Sequence, residues 1–168
     1  MIMKRFILQP IVTVMMVILV LSVNVRGQDL SFTIQLDKTS YNKGDTVKCK
    51  MTLKNISNNN LVVNNRFLVN YPGGPHEISF LIIDPGLKSV QFSSMINASS
   101  KSEHFMVLPA GKTETKTYIL SEDFELTEKG NYSITGYYDN HFDAPVSLKM
   151  RSAWKGILIS NKVNFTIN

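Results

Sequence analysis

The chain has 168 residues, of which 43% are hydrophobic and 18% charged, with 18 Lys+Arg against 13 Asp+Glu and one cysteine. That balance excludes a disordered polyelectrolyte, and a single cysteine excludes any intramolecular disulfide. Three of the cations (Lys4, Arg5 and Arg26) sit at the start, so residues 28–168 carry a net of only +2, and a nucleic-acid partner is not expected.

Lys4 and Arg5 are followed by an apolar run from Ile11 to Val23 and then by Asn24-Val25-Arg26-Gly27. A basic start, a short apolar core and small residues before a cut describe a secretory signal peptide. A spanning helix wants about 20 apolar residues, and extending this run back to Ile7 would include Gln9 and Pro10. The expectation is a signal peptide over 1–27 and one mature domain over 28–168. The protein is then secreted or periplasmic, with no membrane contact in the mature form unless the leader is retained.

Strand signals recur along the mature chain. Phe32, Ile34 and Leu36 alternate with polar residues, and a turn follows at Tyr41-Asn42-Lys43-Gly44-Asp45. Then Val47, Cys49, Met51 and Leu53 share one face while Lys48, Lys50, Thr52 and Lys54 share the other, as in an antiparallel sheet with one dry side. Leu61 to Asn70 resumes strand character with poor alternation. Tyr71-Pro72-Gly73-Gly74-Pro75-His76 is a loop, and Glu77 to Asp84 is a strand closed by Asp84-Pro85-Gly86. A short strand is expected at Val90 to Phe92. Glu103–Leu108 and Thr113–Leu120 flank a turn at Pro109–Lys112, and Ser121 to Leu126 suggests a helical turn capped by Ser121. Asn131–Tyr138 and Gly156–Ile167 complete the set, the last with a bend near Asn161. Seven to nine strands in one domain predict an all-β chain, an antiparallel β-sandwich. Four Asn-x-Ser/Thr triplets begin at Asn55, Asn97, Asn131 and Asn164, and glycosylation would be sought at Asn55 and Asn97 in a eukaryotic source.

The segment Leu126-Thr127-Glu128-Lys129-Gly130-Asn131-Tyr132-Ser133-Ile134 resembles the approach to strand F of immunoglobulin-like domains. The resemblance implies that Tyr132 is the corner tyrosine and that Ile134 and Cys49 occupy the two disulfide positions, with the bridge replaced by an apolar contact. Phe67 would stand for the core tryptophan. The order Tyr41-x-x-Gly44-Asp45-x-Val47, Leu53-Lys54-Asn55-x-Ser57, Leu108-Pro109-Ala110-Gly111-Lys112, Gly130-x-Tyr132 resembles secreted bacterial immunoglobulin-like β-sandwich domains. Among these are the non-catalytic domain preceding deuterolysin-type metallopeptidases and the β-sandwich proteinase inhibitor of bacilli. The His-Glu-x-x-His zinc motif of those peptidases is absent, so nothing catalytic carries over.

His76, His104 and His141 with Asp139 and Asp143 match no tight chelating spacing. No Gly-x-Ser-x-Gly turn or phosphate loop occurs. No enzyme, cofactor or metal is therefore expected; a metal-dependent hydrolase built on the loop histidines is the remote alternative. The 17 residues from Asp139 to Lys155 exceed the about 12–15 that compact domains keep without structure or function. They hold Phe142, Met150, Arg151 and Trp154, residue types that dominate recognition patches, although Trp154 can equally fold back to plug the end of the sandwich. The expected function is a secreted, non-catalytic binding or accessory domain recognising an extracellular protein or glycan. The resemblance adds a secreted proteinase inhibitor as a second possibility.

Overall fold

The computed structural model describes residues 29–71, 77–94, 104–141 and 152–168; the expected leader lies outside them. Among the described residues the strands are β1 (Leu30–Leu36), β2 (Ser40–Tyr41), β3 (Lys48–Asn55), β4 (Leu61–Asn64), β5 (Ile78–Ile83), β6 (Phe105–Leu108), β7 (Thr113–Ile119), β8 (Gly130–Asn140) and β9 (Gly156–Ile167). One helical turn, α1 (Leu120–Asp123), joins β7 towards β8. The described residues are mostly β, as the alternating segments require.

Three sheets form, ordered β1-β3-β7, β2-β9-β8-β5 and β4-β6, and every pair but the parallel β2–β9 is antiparallel. Leu30, Phe32, Ile34 and Leu36 of β1 and Cys49, Met51 and Leu53 of β3 are buried. They join Phe80 and Ile82 of β5, Tyr132, Ile134 and Tyr138 of β8 and Phe165 of β9 in one core. Rings from the two larger sheets meet there, with Phe32–Tyr138 centroids 6.0 Å apart and Phe80–Tyr118 centroids 6.1 Å apart. Gly136 sits where they come closest: a Cβ on it would lie 3.1 Å from both Ile34 and Phe32. Cys49 of the three-stranded sheet and Ile134 of the four-stranded one are both fully buried in this core. Burial pushes the Cys49 thiol up to about 12, so it behaves as a small hydrophobe.

Several local expectations need correction. Strand structure from Leu61 stops at Asn64, because Asn64, Arg66 and the backbone of Leu68 turn to serve Glu77. Phe67 is buried, but it lies outside any strand, with φ 53. Val90 to Phe92 forms no strand: Phe92 makes an isolated bridge to Phe124, and Ser89 just before the segment makes one to Ile83. β6 and β7 do not pair with each other, since the turn between them carries the chain from β4's sheet to β3's. Ser121 lies inside α1 rather than capping it, and its Oγ accepts from Val47 N at 3.2 Å. Asn55 is fully buried, and its Nδ2 donates to the carbonyls of Asn59 (2.7 Å) and Leu108 (2.8 Å), which leaves that amide no room for a glycan. Asn97 lies outside the described residues.

The bend in β9 is a register shift opposite Thr135–Tyr137. It turns Asn161 towards β1, where its Nδ2 donates to Ile34 O and its Oδ1 accepts from Ile34 N, both at 3.0 Å. One amide side chain thus stitches the open edge of one sheet to a strand of the other. At the opposite edge, β7 pairs Glu114 with Leu53 and Lys116 with Met51, so two charged side chains stand on the inward-facing side of an edge strand. Inward charges on an edge discourage pairing with another chain. Lys116 Nζ donates to Arg66 O at 2.8 Å.

Candidate functional site

β5 begins beside a buried carboxylate. Glu77 is 0% exposed and takes four donors: Arg66 Nη2 (2.5 Å) and Asn64 Nδ2 (3.1 Å) at Oε1, Arg66 Nε (2.9 Å) and Leu68 N (3.0 Å) at Oε2. A buried carboxylate persists only with such saturation. Tyr138 OH donates to Asn64 O at 2.8 Å, and Asp139 N donates to Glu77 O at 2.8 Å, which fixes this network to β8. The arrangement is structural: both carboxylate oxygens are occupied, and none is left for a reacting atom.

Trp154 lies next to this network. It is half-buried, with its ring 6.1 Å from that of Tyr138. Its backbone N–H donates to Val62 O at 2.8 Å, and its backbone carbonyl accepts from Asn140 Nδ2 at 2.5 Å. Gly156, at φ 149, lets the chain pass the indole, since a Cβ there would lie 2.9 Å from the ring. Trp154 therefore packs on the core. Phe142, Met150 and Arg151, expected beside it, lie outside the described residues.

Beyond Gly156 the outer face of the four-stranded sheet is unusually apolar. Ile157 and Ile159 are 56% and 63% exposed, and Leu81 on β5 is 39% exposed. Ile159 stands opposite Tyr137, which stands opposite Ser79; Leu81 stands opposite Thr135. The four apolar side chains, Leu81, Tyr137, Ile157 and Ile159, thus share one face across three strands. Polar residues border it at Asp139, Thr135 and Lys162. Among the described residues, Asp139 Oδ1 and the buried Asn140 Oδ1 have no hydrogen-bond partner, while Asp139 Oδ2 meets His141 Nε2 at 2.7 Å. Sequence reasoning overlooked Ile157 and Ile159. Their signal was visible in Gly156-Ile157-Leu158-Ile159, where apolar residues occupy both faces of one strand.

His141 is exposed, and the backbone carbonyl of His104 accepts from Asn65 N at 2.8 Å. His76 and Asp143 lie outside the described residues. Among the described residues no group of three His, Cys, Asp or Glu side chains is placed to hold a metal. No helix among them is long and apolar enough to cross a membrane. Tyr132 OH donates to Glu128 O at 2.9 Å, four residues upstream, and burial raises its pKa. No protein-family model matches the chain, and no curated protein matches it either.

Proposed function

We propose that the chain is a secreted, non-catalytic immunoglobulin-like β-sandwich domain that docks a protein partner on the outer face of β5, β8 and β9. Taking β1, β3, β5, β6, β7, β8 and β9 as strands A to G puts A, B and E in one sheet and C, F and G in the other. That order supports the immunoglobulin-like reading, although strand D pairs with β4 rather than joining the first sheet. The bond from Tyr132 to Glu128 supports a tyrosine corner. Export rests on the leader-like start, and the non-catalytic assignment on the absence of a catalytic motif in the sequence.

The observation that carries the docking face is the exposed aliphatic set Leu81, Ile157 and Ile159 on one sheet face bordered by polar residues. Exposed apolar surface of this kind marks interaction sites. Between a protein and a glycan, aliphatic side chains favour the apolar surface of a protein.

The test compares wild type with the double variant Ile157→Asp/Ile159→Asp. Both are immobilised and exposed to the extracellular fraction of the source cells. The expected outcome is a protein retained by wild type and lost by the variant, with thermal midpoints agreeing within about 3 °C because both positions are exposed. Identical capture by the two would overturn the docking face.

A further inference from the structure

We propose that the outer face of the β1-β3-β7 sheet binds a linear anionic polysaccharide through Lys48, Lys50 and Lys54. This goes beyond the protein-docking face and does not depend on it. Lys48, Lys50 and Lys54 project from one side of β3, all exposed. At about 3.4 Å per residue their Cα atoms repeat at roughly 7 and 14 Å, a row suited to a chain with regularly repeated charge. Among the described residues no ion pair engages any of the three.

The neighbours on this face are Ser31, Thr33 and Gln35 of β1 and Thr113, Thr115 and Thr117 of β7, all uncharged, with Asp37 opposite Lys48. The nearest carboxylates, Asp29 and Asp37, stand at its two ends. The Asp37 carboxylate is already engaged, accepting from Tyr41 OH at 2.8 Å and from Lys48 N at 3.1 Å. Like charges two residues apart on one strand repel, and a face serving solubility alone would intersperse both signs. Here the mature chain is nearly neutral, yet three cations share a face with no carboxylate between them.

The rest of the face selects among polyanions. Among the described residues it carries no aromatic side chain, so nucleic-acid bases would find no stacking platform. Its two aliphatics, Ile56 and Ile119, lie beyond Lys54 and opposite Lys48, at opposite ends, so it has no continuous apolar strip to enter a bilayer. Hydroxyl and amide side chains between the lysines complement the hydroxyls of a sugar chain. A shallow depression of about 330 Å³, lined by Gln35, Leu36, Asp37, Lys48, Lys50 and Thr117, opens on this face.

Heparin serves as the probe, with binding measured at low salt. The variant Lys48→Gln/Lys50→Gln/Lys54→Gln is expected to bind at least about tenfold more weakly than wild type, as loss of three exposed ion pairs implies. A charge-matched control, Lys88→Gln/Lys129→Gln/Lys162→Gln, should stay within about twofold of wild type. All six lysines are exposed, and unchanged thermal midpoints in both variants confirm that folding is intact. Failure of wild type to bind, or equal losses in the two variants, would overturn the proposal. So would binding to single-stranded DNA or anionic vesicles as tight as binding to heparin.

Discussion

Strands β3 and β9 bury the same kind of inner face and present opposite outer ones. β3 turns Cys49, Met51 and Leu53 inward and Lys48, Lys50 and Lys54 outward. β9 turns Leu158 and Phe165 inward but sets Ile157 and Ile159 in solvent. Burial therefore explains the inner side of both strands and says nothing of the outer side. What stands there is left to other demands: cations among hydroxyls on one sheet, aliphatics on the other. A face that departs from the usual mixed, charged surface is where a partner is to be sought.

The contrast is broken most severely where the two sheets are tied together. Glu77 leads into β5, while the carbonyl of its partner Arg66 accepts from Lys116 of β7. Glu77→Ala leaves the largely buried Arg66 guanidinium without its carboxylate and is expected to lower the unfolding free energy by about 3–5 kcal/mol, read from urea midpoints. A loss under about 1 kcal/mol would show that Arg66 reaches solvent instead. The next test compares the two sides of β9. Leu158→Ala should cost about 2–5 kcal/mol in urea unfolding, because its side chain is in the core. Ile159→Ser, one residue on, should stay within about 0.5 kcal/mol. Equal losses would mean that the outer face is covered within the folded chain.

The smallest effect concerns the rim of the lysine face. Burial pushes the Asp37 carboxyl up, but hydrogen bonds from Tyr41 and the Lys48 backbone outweigh it and hold the pKa below the ordinary value. A folded pKa below the unfolded one stabilises at pH above the unfolded pKa, and that contribution is lost as pH falls through the folded pKa. Asp37→Asn should therefore be slightly less stable than wild type at pH 7, with the gap closing below about pH 3–4. Urea midpoints at both pH values check it. A gap that persists in acid would assign the effect to packing.

Much of the architecture was legible because period-two alternation reports burial directly, as at Phe32–Leu36, Val47–Leu53 and Tyr132–Tyr138. What stayed hidden depended on partners distant in sequence. Glu77 reads as the polar start of a strand until Asn64 and Arg66 are brought to it. The loop Pro109–Lys112 reads as a hairpin turn, since nothing local tells that β6 pairs with β4. Trp154 offered two readings at the level of sequence, and its contact with Tyr138 depends on how β8 and β9 close over the core. The exposed isoleucines escaped notice for a related reason: an apolar run does not say which of its residues face water.

Asn161 carries a consequence for how the protein ages. Its amide offers one donor and one acceptor, the same pair that a peptide unit offers, and so acts towards Ile34 as a strand one residue long. Deamidation would exchange the donor for a second acceptor, setting a carboxylate against the Ile34 carbonyl where a hydrogen bond had been. A change of a single mass unit at one exposed side chain would then unfasten the seam between the sheets, so the lifetime of that amide limits how long the seam stays fastened.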